Sequence, residues 1–215
     1  MESDADDRPI PLRERQRLAL RAEIEQTALR LFATHGYDQV TTEAIAEAVG
    51  ISPSTFFRHV PTKEQLLLGA TQRGRAQILA RFHERPDDED AAASVAAAIL
   101  ARTSQFVDDD EWAELWRRAK ASAPLELRRA SLLSREERDE LIAAVARRLG
   151  RPSRARQLQA GVLVRSLLAA VEYAYELWLA DDGGPSLHDL TGRALDLARH
   201  GFEETAPRRP SRAAR

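Results

Sequence analysis

The chain has 215 residues, of which 43% are apolar and 31% charged, and a formal charge of −2. That profile fits a globular protein with a real core and excludes a polycation, so any nucleic-acid surface must be local. There is no cysteine, which excludes disulfide and thiolate chemistry and sets the expectation of a reducing, cytoplasmic location.

Residues 1–12, "MESDADDRPIPL", are acidic and polar. They read as a disordered arm, not as a signal peptide. From there on the apolar spacing is helical. A first helix is expected over Arg13 to His35, with Leu20, Ile24, Ala28, Leu31 and Phe32 on one buried stripe. Gly36 suits its C-cap. A short helix follows from Thr42 to Val49, capped by Thr41. Gly50 permits the left-handed turn behind it. A third helix opens at the cap Ser52 with Pro53 at its first position, where the missing N–H costs nothing. A fourth opens at Thr62, which with Gln65 makes a T-x-x-Q capping box. It runs to about Glu84, with Leu67, Ala70, Gly74, Ile78 and Phe82 on one side.

"RPDDEDAA", residues 85–92, is an acidic break carrying a proline and the best candidate for a domain boundary or a hinge. Beyond it the helices are rich in Ala and Leu. Val95, Ile99, Thr103 and Phe106 mark one stripe, and Trp112, Leu115, Trp116 and Ala119 another. Leu141, Ile142, Val145 and Leu149 precede Gly150 and Pro152. A long helix, 153–180, is apolar almost all round. Its run from Ala160 to Ala180 is interrupted by Arg165, Glu172 and Glu176, so no membrane span is expected. After the "DDGGPS" turn, the last helix carries Leu187, Leu190, Ala194, Leu197 and Gly201 along a narrow seam. The tail, 207–215, reads as disordered and basic.

The second and third helices, joined by a Gly turn and braced by a longer helix, describe a helix-turn-helix. Its second helix, about 52–59, is then the recognition helix, with base edges within its reach. If Phe56 and Val60 face the core, Ser54, Thr55, Phe57, Arg58 and His59 spread over the outer surface. Arg58 can bond guanine or phosphate, and Phe57 can touch a thymine methyl. Lys63 and the free N–H groups at the next helix start suit a phosphate. From Arg8 to Arg81 eleven basic residues stand against seven acidic ones, a local charge of +4. Arg13, Arg15, Arg17 and Arg21 can serve as an arm along the DNA backbone or as a solubilising face.

"VTTEAIAEAVGISPSTFFRHVPTKEQLL" resembles the DNA-binding region of the TetR family of transcriptional regulators. The match rests on the paired Thr41–Thr42, "IA" at 45–46, "VG" at 49–50, Thr55 before two aromatics, and Lys63–Glu64. It covers about residues 15–70. The resemblance implies an all-α fold of about nine helices, with a DNA-binding domain over 13–85 and an effector-binding and dimerisation domain over 86–206. It implies that Thr41, Thr42 and Lys63 touch phosphate while Pro53, Ser54, Thr55, Phe57 and His59 face the groove. Phe57 stands where the family often has a tyrosine, so one phosphate bond is lost. Pro53 has no side-chain donor, and Glu43 would repel phosphate if it faced the DNA.

The resemblance further implies a homodimer on a palindromic operator and a small-molecule effector that releases it, which makes repression the expected action. Candidate pocket residues are Phe106, Trp112, Trp116, Arg165, Tyr173 and Trp178, although aromatics at such spacing also build ordinary cores. The stretch 124–150 is similar to regulators of the mycofactocin-associated type, which implies an apolar effector such as a long-chain acyl compound. No enzyme, cofactor or metal is expected. The five histidines fall in no ligand spacing, and no nucleophile elbow, phosphate loop or dinucleotide fingerprint occurs.

Overall fold

The computed structural model describes residues 11–107, 110–128, 132–181 and 183–201, without the side chains of 69–76, 104–107, 110 and 111. Residues 1–10 of the arm, the whole tail, the side chains of Ala70 and Gly74, and that of Phe106 lie outside the described residues, and Leu12, expected in the arm, opens α1. Four helices come first: α1 (Leu12–His35), α2 (Thr42–Val49), α3 (Pro53–His59) and α4 (Glu64–His83). A 3-10 turn, Tyr37–Gln39, separates α1 from α2. Then come α5 (Ala91–Val107), α6 (Asp110–Ala121), α7 (Leu125–Arg128), α8 (Arg135–Arg148), α9 (Arg154–Ala180) and α10 (Leu187–His200). The fold is all-α: among the described residues there is no strand. The helix beyond the expected nine is α7, a single turn behind Pro124.

Most helix starts follow from short polar side chains. The hydroxyls of Thr41, Ser52, Ser153 and Ser186 accept from backbone N–H groups inside α2, α3, α9 and α10. Ser134 and Glu137 form a reciprocal capping box on α8. Gly50 ends α2 at φ 77° and ψ 29°, the left-handed turn expected of it. The start of α4 is a correction. It begins at Glu64, its N-cap Lys63 makes no side-chain cap, and the Thr62–Gln65 box does not form. Instead the Gln65 N–H donates to the Thr62 carbonyl at 3.2 Å. The Thr62 hydroxyl turns to the Glu64 carboxylate, whose pKa is held below its usual value first by its own backbone N–H and then by this bond.

Two cores result. One gathers Ile24, Ala28, Leu29 and Phe32 of α1, Ile45 and Ala46 of α2, Phe56 of α3, and Leu66 and Leu67 of α4. On α1, Leu29 is buried where Leu20 and Leu31 are only partly covered. This core continues into Trp116, Ala119, Trp178 and Leu187 of later helices. The other takes Ile78 and Phe82 from α4, with Val95, Ile99, Leu141, Val145, Val164, Leu167, Val171 and Leu195. Helix α4, 20 residues and about 30 Å long, therefore enters both cores. Its far end is fixed by Arg148, whose guanidinium lies 4.3 Å from the Phe82 ring centre. Arg148 also donates to Ser94 Oγ at 2.8 Å and to the Arg85 carbonyl at 3.0 Å.

Helix α9 is two-sided. Ala160, Val164, Leu167, Val171, Ala174 and Trp178 face inward at helical spacing. Leu158 (69% exposed), Val162, Tyr173 (62%) and Leu177 lie on the open side. No described helix is long and apolar enough to cross a membrane.

Candidate nucleic-acid interface

Helix α3 is held by its buried face. Phe56 and Val60 are sunk in the core, as the spacing predicts. Ser52 caps the helix, its Oγ also 3.0 Å from Thr55 Oγ1. What remains outward is a compact set. Pro53, Ser54, Phe57 and Arg58 are exposed, while Thr55 and His59 are half-buried. Phe57 stands edge-on to Phe56, with ring centres 5.4 Å apart, and is 46% exposed.

The surroundings are cationic. Arg21 of α1 reaches the His59 carbonyl at 3.5 Å and pairs with Glu25 at 3.1 Å. Arg17 pairs with Glu14 on the exposed side of α1. His59 is held below its ordinary pKa of 6.5, first by partial burial and then by Arg58, Arg17 and Arg21. Thr41 and Thr42 sit at the start of α2. The Thr41 hydroxyl accepts from the Ala44 N–H at 3.1 Å, and the Thr42 hydroxyl donates to Glu43 at 3.1 Å.

Lys63, an expected phosphate ligand, is engaged within the chain. Its Nζ donates to the carbonyls of Tyr37 (2.9 Å) and Val40 (3.0 Å) and lies 4.0 Å from the Tyr37 ring centre. Sequence spacing could not signal this, because the partners are backbone atoms 23 and 26 residues away.

The candidate effector residues do not all gather. Trp116 and Trp178 stack with ring centres 6.1 Å apart at 21°. Trp112 is partly buried against the same core. Tyr175, absent from the expected set, completes a trio, 6.0 Å from Trp116 and 6.1 Å from Trp178. Arg165 and Tyr173 are exposed on the other side of α9, so they do not belong with this cluster. The register gives the reason. Positions 164, 167, 168, 171, 174 and 178 share a face, Tyr175 falls within it and Tyr173 lies opposite. Lys120, one turn beyond Trp116, is fully buried with its Nζ 5.4 Å from the Trp116 ring centre. The hydroxyls of Tyr175 and Thr191 are buried and have no hydrogen-bond partner among the described residues. Burial pushes the Tyr175 phenol pKa up. Among the described residues no group of side chains could hold a metal.

Comparison with known proteins agrees with this geometry. Residues 24–70 match the family of bacterial regulatory proteins of the tetR type. Over 99 residues the chain is 34% identical to the HTH-type transcriptional regulator TcmR of Streptomyces glaucescens, a match spanning 46% of this chain and 44% of that protein. Over 184 residues it is 29% identical to a putative mycofactocin biosynthesis transcriptional regulator, MftR, of Mycobacterium tuberculosis, spanning 84% of this chain and 89% of that one. In fold it resembles NalD, the secondary repressor of a multidrug efflux pump in Pseudomonas aeruginosa. That likeness has a TM-score of 0.59 at 18% identity, over 87% of this chain and 97% of that one. These relatives are regulators of transcription, not enzymes.

Proposed function

Because this chain belongs to the TetR family of bacterial transcriptional regulators, we propose that it binds a palindromic operator as a homodimer, acts as a repressor and is released by a small effector. The observation that carries the reading is the outer face of α3. It offers Ser54, Thr55, Phe57, Arg58 and His59 on a helix clamped from behind by Phe56 and Val60. Arg58 and His59 supply base or phosphate contacts, Phe57 and Pro53 apolar contact, and Thr41 and Thr42 hydroxyl contacts to the backbone. Two such helices about 34 Å apart would enter successive major grooves.

The division of labour follows the sequence, with 13–85 reading DNA and 86–206 sensing and dimerising. The exposed apolar side of α9 is the proposed dimer face, joined by Leu197 of α10. The effector is placed at Trp116, Tyr175 and Trp178. Those rings favour an apolar body, such as an acyl or aromatic one. The buried hydroxyl of Tyr175 favours a polar group on it. Effector binding would act through α4, since α4 enters both cores. A coupling of about 1–3 kcal/mol would change operator occupancy about 5- to 150-fold. A cytoplasmic location goes with the role.

The test is a titration of the full chain against DNA from directly upstream of its gene and against a random-sequence pool, at several salt concentrations. Saturable binding that weakens steeply with salt is expected. Absence of binding to either DNA would overturn the reading.

A further inference from the structure

We propose that the cleft between the end of α8 and the start of α9 binds a small soluble molecule carrying a phosphate or pyrophosphate group, held by Arg147, Arg154 and Arg156. The site lies outside the reading head and does not depend on the DNA-binding reading. Its residues come largely from one short stretch, "RRLGRPSRAR" at 147–156, which holds five arginines and no acid. Gly150, at φ 116°, allows the chain to reverse there, and α8 packs against α9. Between them opens a cleft of about 590 Å³, a volume ordinary for a small-molecule site. Ala143, Ala146 and Pro152 give it apolar walls, and Arg147, Arg154 and Arg156 line it with three guanidiniums.

The charges around this cleft lack an internal answer. Arg148 is the exception, because it turns inward to Ser94 Oγ, the Arg85 carbonyl and the Phe82 ring. Other arginines of the surface pair with carboxylates, as Arg17 does with Glu14, Arg21 with Glu25 and Arg118 with Glu114. Arg147, Arg151, Arg154 and Arg156 have no carboxylate partner among the described residues, and Arg156 donates to Gln159 Oε1 at 3.0 Å. Guanidiniums so crowded repel one another, and an anion among them removes the repulsion. The planar fork of arginine matches phosphate oxygens in pairs, so three forks on one concavity suit an anion of more than one charge. The small apolar walls leave room for an organic body beside it. A duplex or a lipid surface would be better met by a flat face than by a cleft. The site is also separate from the aromatic cluster: Arg156 and Tyr175 are nineteen residues apart on α9, about 28 Å of helix.

The experiment titrates inorganic pyrophosphate into the full chain by calorimetry, at a constant ionic strength of about 0.15 M. Pyrophosphate carries the charged part of the ligand whatever its body. Saturable binding is expected, one ion per chain, with a Kd of about 1 mM or tighter. Arg147→Gln with Arg156→Gln should weaken it at least roughly tenfold. Helical content should not change, because both side chains are exposed. Arg154→Glu probes the same cleft with a single exchange and should abolish binding. Arg58→Gln is the control for the cationic face of the reading head and should bind as the wild type does. Phosphatidylglycerol vesicles and a random-sequence duplex are then offered to the Arg58→Gln chain with and without the two cleft exchanges. Capture by vesicles that is lost with those exchanges would assign the arginines to a lipid headgroup. Duplex binding lost in the same way would assign them to nucleic acid, and either result overturns the small-molecule site. Pyrophosphate binding that vanishes in Arg58→Gln but survives in the cleft variants would place the ion on the reading head and overturn it too. So would the absence of saturable binding. None of these results decides operator recognition, which is read by the separate DNA titration.

Discussion

The outer face of α3 and the outer face of α9 are both open in a single chain, yet they are chemically opposite. On α3 the exposed set is Ser54, Phe57 and Arg58 with half-buried Thr55 and His59, ringed by arginines of α1. On α9 it is Leu158, Val162, Tyr173 and Leu177. A charged, hydroxyl-bearing face loses little by standing in water and gains by meeting a polyanion. An apolar stripe gains by meeting another apolar stripe. One surface should therefore respond to salt and the other should not, and the two should fail separately when mutated.

The largest expected effect is on the α9 face. Val162→Asp with Tyr173→Asp would place four carboxylates in the proposed two-fold interface. The dimer dissociation constant should rise at least roughly a thousandfold, about 4 kcal/mol, read by analytical ultracentrifugation. Helical content should be unchanged because both positions are exposed. An unaltered dimer would remove α9 from the interface. Next comes Arg58→Ala, expected to cost about 1–3 kcal/mol of operator affinity while leaving dimerisation untouched. Equal loss in both assays would erase the distinction between the faces.

Two smaller effects are set by protonation. Glu114 pairs with Arg117 and Arg118 at 2.7 Å, and the Arg117 bond leads in holding its pKa down at about 2 from an ordinary 4.5. Its contribution to stability is complete above pH 4.5 and is lost as the pH falls towards 2. The carboxylate is about a third exposed, so Glu114→Gln should cost about 1 kcal/mol or less at neutral pH. The gap should close in acid melts, and DNA binding should be unaffected. His59 is the mildest case. Its depressed pKa means the unfolded chain takes the proton first, so this group disfavours the fold as the pH drops below 6.5. Protonation also adds charge beside DNA, so affinity should rise by less than about tenfold between pH 7 and 5. His59→Gln should flatten that rise.

The α3 face was the more legible of the two regions, for local reasons. Thr41, Gly50, Ser52 and Pro53 each act within a turn of their own position, and each does what its chemistry predicts. The start of α4 was misread because two local bonds competed there: the Thr62 hydroxyl goes to Glu64, not to the backbone. Lys63 is singled out by the sequence as a phosphate ligand, but its bonds to the Tyr37 and Val40 carbonyls are not legible there, since those partners are backbone atoms far away along the chain. In the second half the periodicity located the helices, but it left the choice between Tyr173 and Tyr175 open. That choice depends on which side of α9 meets α10 and α6. The buried Lys120 was invisible for the same reason, because an isolated lysine in a helix reads as a solvent residue.

The most direct test of the central claim is hydroxyl-radical footprinting of the wild type and the Val162→Asp, Tyr173→Asp variant on a duplex selected from a random pool. The account predicts two protected patches on one side of the duplex, about one helical turn apart, both lost or reduced to weak protection in the variant. Protection of a single patch, identical in both proteins, would contradict the paired reading heads. Absence of protection on any duplex would contradict DNA recognition by α3.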